Sequence, residues 1–183
     1  MPTRPKNPAD LIIRSRLRET VHFPDLSERL ALKPAAIPHY TARAHFVAWH
    51  RRLGAPDWTQ AAGIFTPLVS IELESTDLPL DPRQPLHVRG ETFLAKTLDA
   101  EGAVRHLVRE GQHTILDPKG TLVARAQLRN VFTRYDPDPA KRRVTTLPPE
   151  LGLGPAPSRT TELPEIETLV PEGRRPDFVE EGP

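Results

Sequence analysis

The sequence predicts an α+β domain in which an antiparallel sheet of five to six strands wraps around one long central helix. Two observations support this fold class. One stretch, residues 38–53, has helical periodicity, and the stretches that follow it alternate between apolar and polar side chains as strands do. Turns containing Pro or Gly separate these strands. Because the strands follow one another directly, they are expected to pair antiparallel.

The helix has clear start and stop signals. Pro38 suits a first helical turn, where its missing N–H costs nothing, and Gly54 suits the position just past the last turn. One apolar stripe is predicted at positions i, i+4, i+7 and i+11, formed by Ala42, Phe46, Trp49 and Leu53. The opposite side of the helix is not strongly polar, so we expect the helix to be enclosed on most of its circumference.

Five strands are predicted, at residues 17–23, 68–74, 86–98, 104–116 and 121–135. Gly90 and Gly111 fall inside two of them and predict a bulge or bend. In the last strand, small and apolar residues share one face, namely Leu122, Ala124, Ala126 and Leu128. This face is expected to pack against the large side chains of Phe46 and Trp49.

The length of 183 residues suits one domain with extensions at its ends. The 22 prolines lie at the N-terminus, in the turns between elements and in the last 36 residues, which contain eight of them and few apolar residues. We therefore predict a flexible arm at 1–14, the folded domain at 15–151, and a Pro-rich tail at 152–183 that is disordered or extended.

Charge and composition exclude several classes of function. The chain has 25 basic and 24 acidic residues, a net charge of +1, so no large field favours nucleic acid or an anionic membrane. No apolar run is long enough to span a bilayer, and no signal-like segment opens the chain. There is no Cys. A cytoplasmic location is expected.

Neither a metal nor another cofactor is expected. His45 and His50 are five residues apart, which places them on different faces of the helix, and the remaining histidines share no ligand-like spacing. A Ser-based nucleophile elbow and a Gly-rich phosphate loop are both absent from the sequence.

A family resemblance covers about three quarters of the chain, from Arg18 to Leu151. The first predicted strand leads to an acid, Asp25; a loop then reaches His39-Tyr40 at the start of the helix, which finishes in Arg51-Arg52-Leu53-Gly54. The strands follow, and the segment Thr146-Leu147-Pro148-Pro149-Glu150-Leu151 closes the domain. This order resembles the hot-dog fold, and specifically acyl-CoA thioesterases of the 4-hydroxybenzoyl-CoA thioesterase type.

The resemblance implies a site at the amino end of the helix. Thioester hydrolysis needs a carboxylate and donors for the developing oxyanion. Asp25 would be the nucleophile or base, and His39 would orient the carbonyl or the water. Backbone N–H groups near His39, Tyr40 and Thr41 would hold the oxyanion. Tyr40 and Thr41 would also line the acyl slot, and Arg43, together with Arg51 and Arg52, would meet the phosphates of CoA.

The sequence departs from the family pattern at two places. Asp25 is followed by Leu26 and Ser27 where many members have an Asp-x-Asp pair, and residues 38–53 contain no carboxylate. The connection from Asp25 to His39 is also longer than usual. Either Asp25 performs the chemistry, or Glu28 does, or the site is not catalytic.

The expected function is hydrolysis of an acyl thioester carried by CoA or by an acyl carrier protein. Two alternatives stay open: a non-catalytic hot-dog protein that binds acyl groups or acts as a scaffold, and a related acyl transferase or dehydratase of a biosynthetic pathway. Because an open sheet leaves an edge that needs cover, we expect self-association as a homodimer or a dimer of dimers.

Overall fold

The computed structural model describes residues 8–53, 62–134, 136, 138–149, 153–154 and 156–163. It has one long helix, α1 (Ile37–Leu53), and seven strands: β1 (Ile12–Glu19), β2 (Ile64–Phe65), β3 (Leu68–Ser75), β4 (Leu86–Leu98), β5 (Val104–Leu116), β6 (Leu122–Val131) and β7 (Thr133–Arg134). Five strands form one antiparallel sheet in the order β1-β4-β5-β6-β3. Strands β2 and β7 pair separately. The helix lies against one face of the large sheet, which we call the inner face.

The predicted α+β fold class is confirmed, and so are the bounds of β4 and β5. The first strand, however, spans Ile12–Glu19 and not 17–23. Its last pair with β4 joins Glu19 to Leu86, after which Phe23–Asp25 forms a 3-10 helix that the proline favours. The last predicted strand is divided: β6 ends at Val131, the buried Phe132 follows it, and β7 pairs with β2.

Gly90 and Gly111 do not mark bends. Both lie in uninterrupted register with their neighbours, and the irregularity between β4 and β5 occurs at Thr97 and Leu98. A Cβ atom at Gly90 would lie 2.3 Å from His113 Nδ1, and one at Gly111 would lie 2.2 Å from Nδ1 of His45. The glycines are therefore needed for close approach of two imidazole rings to the inner face.

The buried face of α1 differs from the predicted stripe. Ala42 is exposed and Phe46 is 56% exposed, whereas Trp49 is 2% exposed; the side chain of Leu53 lies outside the described residues. The face toward the sheet follows the spacing i, i+3, i+4, i+7, i+8, i+11 and i+12 and consists of Ile37, Tyr40, Thr41, Ala44, His45, Ala48 and Trp49. The prediction failed because three polar side chains on this face are hydrogen-bonded and can be buried.

The core has two main parts along α1. Around the amino-terminal half, Ile37, Tyr40 and Ala44 share a cluster with the small residues Ala124 and Ala126 of β6. The predicted face of β6 is thus confirmed as core, but its partners are not Phe46 and Trp49. Around the carboxy-terminal half, the Trp49 ring meets that of Phe132, with centroids 6.0 Å apart. The helix is covered on one side only within the described chain.

Residues 156–163, which belong to the predicted tail, lie extended along the sheet. Lys96 of β4 donates its N–H to the Arg159 carbonyl at 2.9 Å and accepts one from Thr161 at 2.9 Å. This edge of β4 is free because β1 pairs with β4 only as far as Phe93. Leu163 packs against the face of the sheet that points away from α1, which we call the outer face. The rest of the tail, 164–183, lies outside the described residues.

Candidate functional site

Asp25 is held in place by its own backbone. Its N–H donates to the His22 carbonyl at 2.9 Å, and its carbonyl accepts the N–H of Lys33 at 2.8 Å. Between these two points the chain closes on itself, since Leu26 and Leu32 form a bridge and both side chains are buried. The additional length of this connection is therefore looped out, and the acid is returned to the amino end of α1.

Tyr40 connects the acid to the helix. Its hydroxyl donates to Asp25 Oδ2 at 2.7 Å, and the Tyr40 side chain is 2% exposed. Burial, reinforced by the hydrogen bond to Asp25, raises the pKa of Tyr40 to about 12. The phenol is therefore neutral at ordinary pH and acts as a donor. Asp25 Oδ1 makes no hydrogen bond with a described residue, so one carboxylate oxygen is oriented while the other is available.

The amino end of α1 offers fewer free donors than predicted. An α-helix leaves its first four N–H groups without intrahelical partners, here those of residues 36–39. Ala36 donates to the Lys33 carbonyl and Ile37 to that of Pro34, while Pro38 has no N–H. Among the described contacts the His39 N–H remains unsatisfied. The N–H groups of Tyr40 and Thr41 are used within the helix, because α1 begins at Ile37.

The His39 side chain is exposed and lies beside Tyr40, with ring centroids 5.7 Å apart in an edge-to-face arrangement. It makes no hydrogen bond with Asp25 within the described part of the chain. The structure thus brings Asp25 and Tyr40 together directly, and it places the imidazole next to the phenol and not next to the carboxylate. The predicted role of the His39 side chain stays a prediction.

The other two predicted substrate contacts are occupied by protein. Thr41 is fully buried, and its hydroxyl donates to the Ile37 carbonyl at 3.0 Å. Arg43 is largely exposed and pairs with the buried Glu19 at 2.8 Å, which connects α1 to the end of β1. Contact of either residue with substrate stays a prediction. Glu28, the alternative acid, is exposed in the looped-out segment.

A second polar group, which sequence reasoning missed, lies buried between α1 and the inner face. We call it the histidine cluster; it consists of His45, Thr92, His113 and Asn130. His45 Nε2 lies 3.1 Å from Asn130 Oδ1, while its Nδ1 lies 3.2 Å from the Thr92 hydroxyl and 3.4 Å from His113 Nε2. Since Asn130 Nδ2 donates to the Thr66 carbonyl, Oδ1 is the acceptor and His45 Nε2 carries its proton.

Burial keeps this cluster neutral. It lowers the pKa of His113 to about 4, and it lowers that of His45 well below the usual value, with the charge of nearby Arg109 adding to the effect. Arg109 is itself 6% exposed, and its guanidinium carbon lies 5.4 Å above the Trp49 ring. The glycines within β4 and β5 were the signal for this cluster, because a strand glycine can admit a neighbouring side chain.

The described residues contain no group of three or more His, Asp or Glu side chains placed to hold a metal ion. His45 and His113 meet across the helix–sheet boundary, a contact that their separation in the sequence does not indicate. Two rings without a third ligand do not make a zinc site. In the described part of the chain, α1 is not long and apolar enough to cross a membrane.

Comparison with known proteins identifies the fold. No protein-family model and no curated protein matches the sequence. Among solved structures, a 1,4-dihydroxy-2-naphthoyl-CoA thioesterase from Synechocystis superposes with a TM-score of 0.53 and 17% identity, over 74% of this chain and 90% of that one. A 4-hydroxybenzoyl-CoA thioesterase, solved as an aspartate-to-asparagine mutant with 4-hydroxybenzoyl-CoA, gives 0.53 and 19%, over 77% and 98%.

A putative oleoyl thioesterase from Lactobacillus plantarum is also similar, with a TM-score of 0.54 and 14% identity. The match covers 90% of this chain but 58% of the longer protein. Identities this low show a common fold and leave the chemistry to be argued from the site itself. The chain has the hot-dog fold, which it shares with these thioesterases.

Proposed function

We propose that this protein hydrolyses an acyl thioester carried by CoA or by an acyl carrier protein, at a site formed by Asp25 and the amino end of α1. One observation supports this most strongly: Tyr40 orients one oxygen of Asp25 at 2.7 Å and leaves the other without a described partner. A carboxylate fixed in this way, beside a helix terminus, has the two components that acyl transfer to water requires.

The mechanism uses few groups. Asp25 Oδ1 removes a proton from water, and the resulting hydroxide attacks the thioester carbonyl; alternatively the carboxylate attacks directly and water cleaves the acyl intermediate. The His39 backbone N–H and the partial positive charge at the start of α1 stabilise the oxyanion. When the carbonyl re-forms, the C–S bond breaks and the thiolate takes up a proton. Tyr40 acts through Asp25 and is a positioning residue.

Self-association belongs to the same proposal. Strand β3 forms one edge of the five-stranded sheet, and its free edge pairs with none of the described strands. Its Leu68 and Leu73 side chains are 49% and 40% exposed. An open edge with apolar side chains favours pairing with another strand. We propose that two copies join at β3 and that the second copy covers the site.

A second candidate function is binding without turnover. The described helix has no carboxylate, and Asp25 is the acid that the structure brings to its amino end. If that acid fails to activate water, the same site would hold an acyl thioester without cleaving it. The two alternatives can be distinguished by measurement, because the enzyme would release free thiol and the binding protein would not.

The test is a panel of aromatic, short-chain and long-chain acyl-CoA substrates, with free thiol measured over time. We expect catalytic release with at least one substrate, a loss of at least about 100-fold in kcat for Asp25→Asn, and little change for Glu28→Gln. Saturable binding without thiol release would support the carrier. A loss of activity in Glu28→Gln alone would move the chemistry to the looped-out segment.

A further inference from the structure

The outer face of the sheet contains a cavity of about 740 Å³. It lies on the side of the sheet away from α1, because its polar side chains alternate with those that contact the helix. We call it the outer-face cavity. Its volume is within the range of small-molecule sites. One row of directly paired residues crosses it from β1 to β3, formed by Arg16, Arg89, Thr114, Arg125 and Glu74.

The carboxylates of the cavity are already neutralised. Three of them contribute to its lining, and each forms an ion pair: Glu91 with Arg14 at 2.8 Å, Glu74 with Arg125 at 3.4 Å, and Glu72 with Arg129. None of these acids is left to balance another cation. The two arginines of the lining that remain, Arg16 and Arg89, form no ion pair with a described residue.

Arg16 and Arg89 are directly opposite each other in the register of β1 and β4, and both are exposed. Like charges in facing positions of an antiparallel pair repel, so this arrangement destabilises the empty sheet. An anion between the two guanidinium groups would convert repulsion into attraction. Thr114, which follows Arg89 across the register, adds a hydroxyl donor on the same face.

We propose that the outer-face cavity binds the phosphate group of a nucleotide-sized small molecule between Arg16 and Arg89. Two unpaired guanidinium groups match the charge of a phosphate dianion, and their planar forks bind phosphate oxygens in pairs. A single carboxylate would balance only one of them. The remaining volume accommodates the organic part of the molecule, and the Gln112 and Gln127 amides line it.

This site is independent of the proposed hydrolysis. Asp25 and Tyr40 lie at the amino end of α1 on the inner side, whereas the arginines lie on the outer face of the sheet. Phosphate binding therefore does not require a working acid. Asp25→Asn should leave the affinity for a phosphorylated ligand unchanged, so failure of either proposal can be recognised separately.

The experiment is calorimetric titration of the full chain with ADP, inorganic phosphate and adenosine. We expect saturable binding of ADP, weaker binding of inorganic phosphate and none of adenosine. Arg16→Gln and Arg89→Gln should each weaken ADP binding at least about tenfold. Arg105→Gln, a change of an exposed strand arginine outside the cavity, is the matched control and should bind ADP as the wild type does.

A second measurement covers variants with altered stability. ADP should raise the Tm of the wild type and of Arg105→Gln, and should raise it much less for the two cavity variants. Without ligand, Arg16→Gln should melt no lower than the wild type, because the change removes a like-charge contact. Absence of ADP binding, equal binding by all variants, or equal binding of adenosine would overturn the proposal.

Discussion

Acidification between pH 7.5 and pH 5 should destabilise the folded protein through His113. The pKa of this imidazole falls from 6.5 to about 4 on folding because burial disfavours the charged form. Below pH 6.5 His113 is therefore protonated in the unfolded chain, whereas in the folded chain it stays neutral until the pH approaches 4. Stability is complete above the unfolded pKa, is lost as the pH falls toward the folded pKa, and levels off below it.

The magnitude follows from the two pKa values. One pKa unit corresponds to about 1.4 kcal/mol, so the free energy of unfolding should fall by about 2 kcal/mol between pH 7.5 and pH 5 from His113 alone. By pH 4 the loss should reach about 3 kcal/mol. His45 adds to it in the same direction, since its pKa is also lowered by burial.

The assay is urea denaturation at pH 7.5 and pH 5 for the wild type and His113→Gln. Between pH 7.5 and pH 5, the free energy of unfolding should fall less in the variant than in the wild type, by at least about 2 kcal/mol. This difference is expected whatever the stability of the variant at pH 7.5. His22→Gln, a change of an exposed histidine, is the control and should follow the wild type. An equal pH dependence in His113→Gln and the wild type would refute the reasoning that the buried ring is kept neutral.

Three further predictions concern the helix and its contacts. Tyr40→Phe should lower kcat about tenfold with little change in KM, since it frees the carboxylate oxygen that the phenol orients; steady-state kinetics on the best acyl-CoA checks this. Gly111→Ala should destabilise the fold by about 1–3 kcal/mol, because its Cβ would meet His45, and a double variant with His45→Ala should recover part of the loss in urea denaturation. Trp49→Ala should lower the free energy of unfolding by about 3–5 kcal/mol, and Phe46→Ala should lower it by less than about 1 kcal/mol. Similar losses in the two variants would contradict the described helix face.

The fold could be predicted because its signals are local. Proline at the start of α1, the alternation within β3, and the turns between β4, β5 and β6 each follow from short-range chemistry. The strand order was not predicted, because β3 pairs with β6 at the far edge of the sheet and not with β4, the next long strand along the chain. The end of β1 was misjudged because alternation continues to Phe23, although pairing with β4 ends at Glu19.

The site could be predicted only in part. Asp25 was identified from the resemblance, but its contact with Tyr40 depends on a loop closure between residues 26 and 32 that no periodicity reveals. The histidine cluster was missed for a related reason. Its members come from α1 and three strands, and only their three-dimensional pairing shows that both ring nitrogens of His45 have partners in a buried place.

The helix face shows how polarity misleads. Tyr40, Thr41 and His45 are not part of the predicted apolar stripe, yet each is buried and hydrogen-bonded within the protein. Phe46 was expected inside and is exposed in the subunit. Periodicity identified the helix correctly, but hydrogen bonding decided which side of it is buried.

The single-turnover rate of thioester hydrolysis, with enzyme in excess over an acyl-CoA that the wild type cleaves, tests the role of Asp25 most directly. Circular dichroism first confirms that Asp25→Asn is folded, and titration confirms that it still binds the substrate. The bond-breaking rate of Asp25→Asn should then be at least about 100-fold below that of the wild type. A rate within about twofold of the wild type would contradict the assignment of Asp25 as nucleophile or base.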